Sequence, residues 1–205
     1  MTKDEEIRVN NFNKVTEDLL EQGYISKDIS VGMFKSHLLT IILLGPLVFL
    51  ILKIYERIYS PYDLAYILLD SKSLLFLGIT IIVLAIVHEV LHGFTWSLFT
   101  PRGIKDISFG FILKYLSPYS TCKVPLKRWQ YTLGVLMPLI VLGIIPTIIG
   151  LLAGIASITI IGALFIIGAG GDLVMVYLLM SYKPKRKDLL VYDNPTKMGV
   201  RFFEK

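Results

Sequence analysis

Four apolar stretches, near residues 37–55, 74–99, 132–153 and 156–181, constrain this chain more than any other feature. A helix needs roughly 20 apolar residues to cross the hydrocarbon of a bilayer, and each stretch is about that long. The 205-residue chain is 54% hydrophobic and only 18% charged, whereas soluble domains are nearer a quarter charged. The excess of apolar residues requires lipid. The last two stretches are separated only by Gly154-Ile155-Ala156-Ser157, so they are expected to form a helical hairpin.

The expected fold is therefore an all-α membrane protein with about four transmembrane helices and a short β-like cytoplasmic loop after the second. Residues 1–35 read as a cytoplasmic N-terminal tail, in which Phe12, Val15, Leu19 and Leu20 form the apolar stripe of a short amphipathic helix ending near Gly23. Residues 36–182 form the four-span domain, and residues 183–205 a basic cytoplasmic tail. The first residues are polar and lack the layout of an export signal. Cys122 is the lone cysteine, so neither an internal disulfide nor a cysteine-based zinc site is expected.

Charge placement sets the orientation. Basic residues gather in the N-terminal tail (Lys3, Arg8, Lys14, Lys27, Lys35), in the loop after the second span (Arg102 to Arg128) and after Tyr182. Four spans put these segments on one side, which the positive-inside rule makes cytoplasmic. Topology thus accounts for the net charge of +5, and no nucleic-acid partner is expected.

Within the second span lies His88-Glu89-Val90-Leu91-His92. On a helix this spacing puts two imidazoles on one face, where both can bind one zinc ion. The glutamate between them can take a proton from a water that the zinc has acidified, the chemistry of a metalloprotease. Such residues are costly inside a membrane unless they have a use.

A catalytic zinc takes three protein ligands, so the third is His37 or a carboxylate. Asp172, within Gly168-Ala169-Gly170-Gly171-Asp172-Leu173 in the fourth span, is favoured. A lone intramembrane carboxylate must face the protein interior. His92 and Asp172 also precede the cytoplasmic ends of parallel spans by similar numbers of residues, which places both roughly 13–15 Å deep. His37 sits at the cytoplasmic mouth of the first span and is too shallow unless that helix is displaced, so it remains the second candidate.

The loop 101–130 alternates apolar residues at Phe109, Phe111, Leu113 and Tyr115, which reads as a strand. It is able either to pair with an extended substrate or to form an interfacial hairpin anchored by Tyr115, Tyr119 and Trp129. In the third span, Pro138 and Pro146 each remove a backbone donor and free a carbonyl that a neighbour or water must satisfy.

Several segments together resemble the putative zincin membrane peptidases, a family of unknown physiological role. They are His88 to Gly93, Ser117-Pro118-Tyr119 with Cys122-Lys123-Val124-Pro125-Leu126, Gly134 to Pro138, Gly143 to Pro146, Gly171 to Met175, and Asp193-Asn194-Pro195. The layout is similar to that of site-2 proteases, which cut substrates within or beside the membrane. The resemblance implies that His88, His92 and Asp172 are zinc ligands, that Glu89 is the general base, and that a bacterial cell membrane is the setting. One departure is that Asp172 follows Gly170-Gly171 and precedes Leu173, where many site-2 proteases carry Asn-Pro-Asp-Gly or Leu-Asp-Gly. The expected function is a zinc-dependent, membrane-embedded endopeptidase whose partners are a membrane protein or membrane-associated peptide substrate and the lipid bilayer. No residue is assigned to substrate. The alternatives are a non-catalytic integral membrane partner protein with a structural metal, against which an intact Glu89 argues, and a metal transporter.

Overall fold

The computed structural model describes residues 3–112, 117–195 and 199–205. Helix α1 (Lys3–Glu21) is followed by strand β1 (Ile25–Ser30), the long helix α2 (Met33–Ile58), the short α3 (Pro61–Leu69) and the long α4 (Ser71–Ser97). A 3-10 turn (Gly103–Asp106) leads into β2 (Ile107–Ile112), β3 (Ser117–Cys122) and the two-residue β4 (Leu126–Lys127). Helix α5 (Arg128–Pro138) continues through a π-helical stretch (Leu139–Ile144) into α6 (Ile145–Ala153). Helices α7 (Ala156–Gly168) and α8 (Gly170–Ser181) and strands β5 (Leu189–Asp193) and β6 (Gly199–Glu204) complete the chain.

Among the described residues, Phe34–Ile58, Ser71–Ser97 and Arg128–Ala153 are long and apolar enough to cross a membrane. Helices α7 and α8, bent by 43° at their break, form a fourth candidate when taken as one traverse. The outward residues of α2 and α4, such as Ile41, Leu43, Phe49, Phe76, Ile82 and Ile86, are large, apolar and exposed. A surface of this kind suits lipid rather than water.

Local chemistry sets the helix ends. The Ser60 hydroxyl accepts from the Tyr62 amide and caps α3, with Pro61 in its first turn. The Asp70 carboxylate accepts from the Ser73 amide at 2.8 Å and caps α4. Between α6 and α7 the chain reverses at Gly154, whose φ of 70° suits glycine. The two helices then lie close together, because a Cβ at Gly150 would sit 2.4 Å from the Thr159 hydroxyl. The π-helical stretch just precedes Pro146, which lacks the amide that a regular helical bond requires.

The expectation of an all-α protein needs correcting. The chain is mostly helical, but β1, β6, β5 and β4 form a four-stranded antiparallel sheet in that order. Strands β2 and β3 form a separate antiparallel hairpin. The terminal segments fold as strands because apolar residues lie between their charges. Val191, Val200, Phe202 and Phe203 have no solvent exposure, and burying one such side chain contributes about 1.5–3 kcal/mol. Val191, Val200 and Phe202 pack with Trp96, Tyr131, Leu179 and Tyr182, so the sheet caps the bundle where α4 and α8 end and α5 begins, while Phe203 packs with Phe12 and Tyr192 on the other face. Helix α1 lies on the sheet: Phe12 stacks on Tyr192 at 5.2 Å, and Asn11 Nδ2 donates to the Lys123 carbonyl and the Tyr192 hydroxyl. Of the alternating residues expected in a strand, Phe109 and Phe111 lie in β2, whereas Leu113 and Tyr115 fall outside the described residues.

Candidate metal centre

His88 and His92 are one helical turn apart on α4, so their rings share a face. Asp172 comes from the first turn of α8, where unpaired backbone amides and the positive end of the helix dipole favour a carboxylate. The break at Ala169 makes this possible, because it starts a new helix inside the apolar stretch. Gly170 fixes the position of that start by lying against Thr40, whose side chain would meet an added Cβ at 2.0 Å. The Nε2 atoms of the two histidines are 3.1 Å apart. Asp172 Oδ2 is 3.2 Å from His88 Nε2, and Asp172 Oδ1 is 3.4 Å from His92 Nε2.

Two observations test whether this set fits zinc. A tetrahedral zinc holds ligands at about 2.0–2.1 Å and therefore about 3.3 Å from one another; the two Nε2 atoms are near that separation, and one ligand atom from each of the three residues lies within 4.8 Å of the others. Asp172 Oδ2 is also buried and has no hydrogen-bond partner despite its nearness to His88. A buried carboxylate oxygen in that state is costly unless a cation completes it. Among the described residues, His88, His92 and Asp172 are the His, Cys, Asp and Glu side chains able to share one metal ion.

The orientation of His92 follows from the sequence of α5. Its Nδ1 lies 2.8 Å from the Gly134 carbonyl, and a carbonyl only accepts, so Nδ1 carries the proton. Nε2 is then a free lone pair facing the cluster. In a regular helix the Gly134 carbonyl would accept from the amide of residue 138, but residue 138 is proline and has none. Close approach of the helices also requires glycine at 134, where a Cβ would sit 2.0 Å from Trp96 Nε1. Trp96 Nε1 donates to the Tyr131 carbonyl at 3.1 Å. Its ring stacks between those of His92 and Tyr131, at 5.3 and 5.2 Å.

Glu89 is half-buried beside the cluster, and its Oε2 accepts from the Ser120 hydroxyl of β3 at 2.8 Å. Sequence reasoning missed Ser120; the alternating pattern marked β2, but not its partner β3 that carries Ser120 or the contact across to α4. It also missed Gly134 as the partner of His92, although Pro138 was a visible sign of a freed carbonyl. His37 is exposed on α2 and is not part of the cluster. The Cys122 thiol is buried and pushed up to about 12 by desolvation, so it is inert near neutral pH. Asp193 accepts a hydrogen bond from the Tyr131 hydroxyl, and burial pushes its carboxyl up to about 6.

Two histidines of an H-E-x-x-H helix thus converge with a carboxylate, and the three side chains could hold one metal ion. The model of the family described as putative zincin peptidase matches residues 81–186, just over half of the chain. The chain belongs to that family. No curated protein and no solved structure matches it.

Proposed function

We propose that this protein is a zinc-dependent, membrane-embedded endopeptidase that hydrolyses peptide bonds in or near the bilayer. Its layout is like that of site-2 proteases, with H-E-x-x-H on one traverse and an aspartate ligand on a later one. The observation that carries this reading is the convergence of His88, His92 and Asp172 beside a glutamate that takes no part in the ligand set. A purely structural metal has no use for that glutamate.

In this reading His88 and His92 hold zinc through Nε2 and Asp172 through its carboxylate. When bound, zinc supplies Lewis acidity, lowering the pKa of a water to about 7 and polarising the carbonyl to be cleaved. Glu89 is the general base. Ser120 engages Oε2, which leaves Oε1 to take the proton of the attacking water and later give it to the leaving amine. The Gly134 carbonyl keeps His92 in the tautomer that ligates. The basic residues of both terminal segments and of the loop after α4 support a cytoplasmic site.

The test pairs zinc content with cleavage of membrane-protein substrates for wild type and Glu89→Gln. The expected result is that the variant binds zinc as wild type does and loses cleavage. Retained cleavage would overturn the mechanism. A wild-type protein that binds zinc and cuts no substrate in a broad membrane-proteome screen would favour the structural-metal alternative.

A further inference from the structure

A groove runs sideways from the cluster between α4 and α7. Ile81, Ala85, His88 and Glu89 follow one another at helical spacing along one face of α4, so this wall is about 12 Å long. The opposite wall is Leu164, Phe165 and Gly168 of α7, with Pro118 of β3 at one end, and the space enclosed is ≈ 260 Å³. Phe165 is buried, with its ring centroid 6.4 Å from that of His88, and forms the floor. Leu164 and Gly168, one turn apart, are exposed and form the rim. Beyond His88 and Glu89, none of the residues lining the groove carries a charge.

Gly168, like Gly23, Gly32, Gly45 and Gly78, has open space around it, and it is the one of these five that lines the groove. The glycines at 134, 150, 162 and 170 each lie where a Cβ would strike a neighbour within 2.4 Å, so close helix packing explains them. A Cβ at Gly168 would meet nothing within 4 Å. Packing therefore does not require glycine there, and a Cβ at 168 would stand in open space at the rim. The groove ends at the proposed base and a proposed ligand, so its occupant is what those groups act on. The walls suit a segment that arrives through the bilayer with small or medium apolar side chains.

We infer that the α4–α7 groove receives an apolar, membrane-embedded peptide segment and that Gly168 sets the bulk it admits. The inference rests on the peptidase reading for the fate of the segment, but not for its docking.

The test uses full-length Glu89→Gln protein, zinc-loaded, in phosphatidylethanolamine–phosphatidylglycerol vesicles. The probes are synthetic Leu-Ala single-span peptides, each with one diazirine leucine at a different depth. Crosslinks from the probe of matching depth are expected to converge on Ile81, Ala85 and Leu164. Gly168→Trp should cut their yield about tenfold or more, and Gly168→Ala should spare most of it. Leu164→Trp, at the same rim, provides a second block should Gly168→Trp fail to fold. Crosslinks spread over the lipid-facing surface, or a yield unchanged in a folded rim variant, would overturn the inference. Hydrolysis of the same peptides by the Glu89-bearing protein separates the two ideas. Rim-sensitive crosslinking without hydrolysis refutes the peptidase reading and leaves docking standing. Hydrolysis with rim-insensitive crosslinking does the reverse.

Discussion

The Gly134 carbonyl accepts a hydrogen bond from His92 Nδ1 at 2.8 Å, and it is free to do so because the residue four positions later is Pro138. A helix-breaking residue in α5 thereby sets the protonation state of a ring on α4. Partners of this kind usually govern metal affinity by 10–100-fold. Pro138→Ala restores an amide that competes for the carbonyl, and zinc affinity is expected to fall by about tenfold without loss of thermal stability. Chelator competition measures the affinity. An unchanged value would show that His92 needs no such support.

Zinc itself is expected to stabilise the fold, since it completes the orphaned Asp172 Oδ2. Wild type and His37→Ala should each hold about one zinc per chain, and Asp172→Ala should hold far less. Elemental analysis gives the stoichiometry, and a melting scan with and without chelator gives the stabilisation. Loss of zinc only in His37→Ala would refute the ligand assignment.

Ser120 steadies the Glu89 carboxylate from the neighbouring hairpin. A hydrogen bond to a charged group is worth about 1.5–3 kcal/mol, so Ser120→Ala should lower kcat by roughly tenfold or somewhat more. KM and zinc content should be little changed, and Ser120→Thr should recover part of the rate. A KM effect with normal kcat would assign Ser120 to substrate instead.

Asp193 gives a pH signature. Burial pushes its carboxyl up from 3.8 to about 6, against the hydrogen bond that Tyr131 donates to it. Its folded pKa lies above its unfolded value, so its contribution is fully present below pH 3.8 and is lost as pH rises through about 6. A shift of this size corresponds to about 3 kcal/mol at most. Asp193→Asn keeps an acceptor for Tyr131 and removes the charge. The stability of the variant relative to wild type should therefore rise between pH 4 and 7, read from denaturant midpoints across that range. A pH-independent difference would refute the buried-carboxylate account.

The features legible in the sequence were those with a strong local signal. Length and hydropathy marked the spans, and the cost of a membrane carboxylate singled out Asp172. The features that stayed hidden depend on contacts between distant segments. Nothing near Ser120 points to Glu89, because the contact exists only when the hairpin folds against α4. The strands of the terminal segments were masked by Lys and Arg, although Leu189-Leu190-Val191-Tyr192 and Val200-Arg201-Phe202-Phe203 carry strand-forming residues on either side of Asn194-Pro195. The break at Ala169 was hinted at by Gly168, Gly170 and Gly171, but a continuous helix satisfied the same hydropathy.

The pairing of β1 with β6 orders events during synthesis. Ile25 lies opposite Glu204, so a strand made before the first traverse waits for one made after the last. Helices α2 to α8 precede β6 in the chain, so that sheet closes only after they are made, and closure covers the bundle where α4 and α8 end and α5 begins. A chain halted partway through synthesis can contain the H-E-x-x-H helix and still lack Asp172, and with it the third side chain of the cluster.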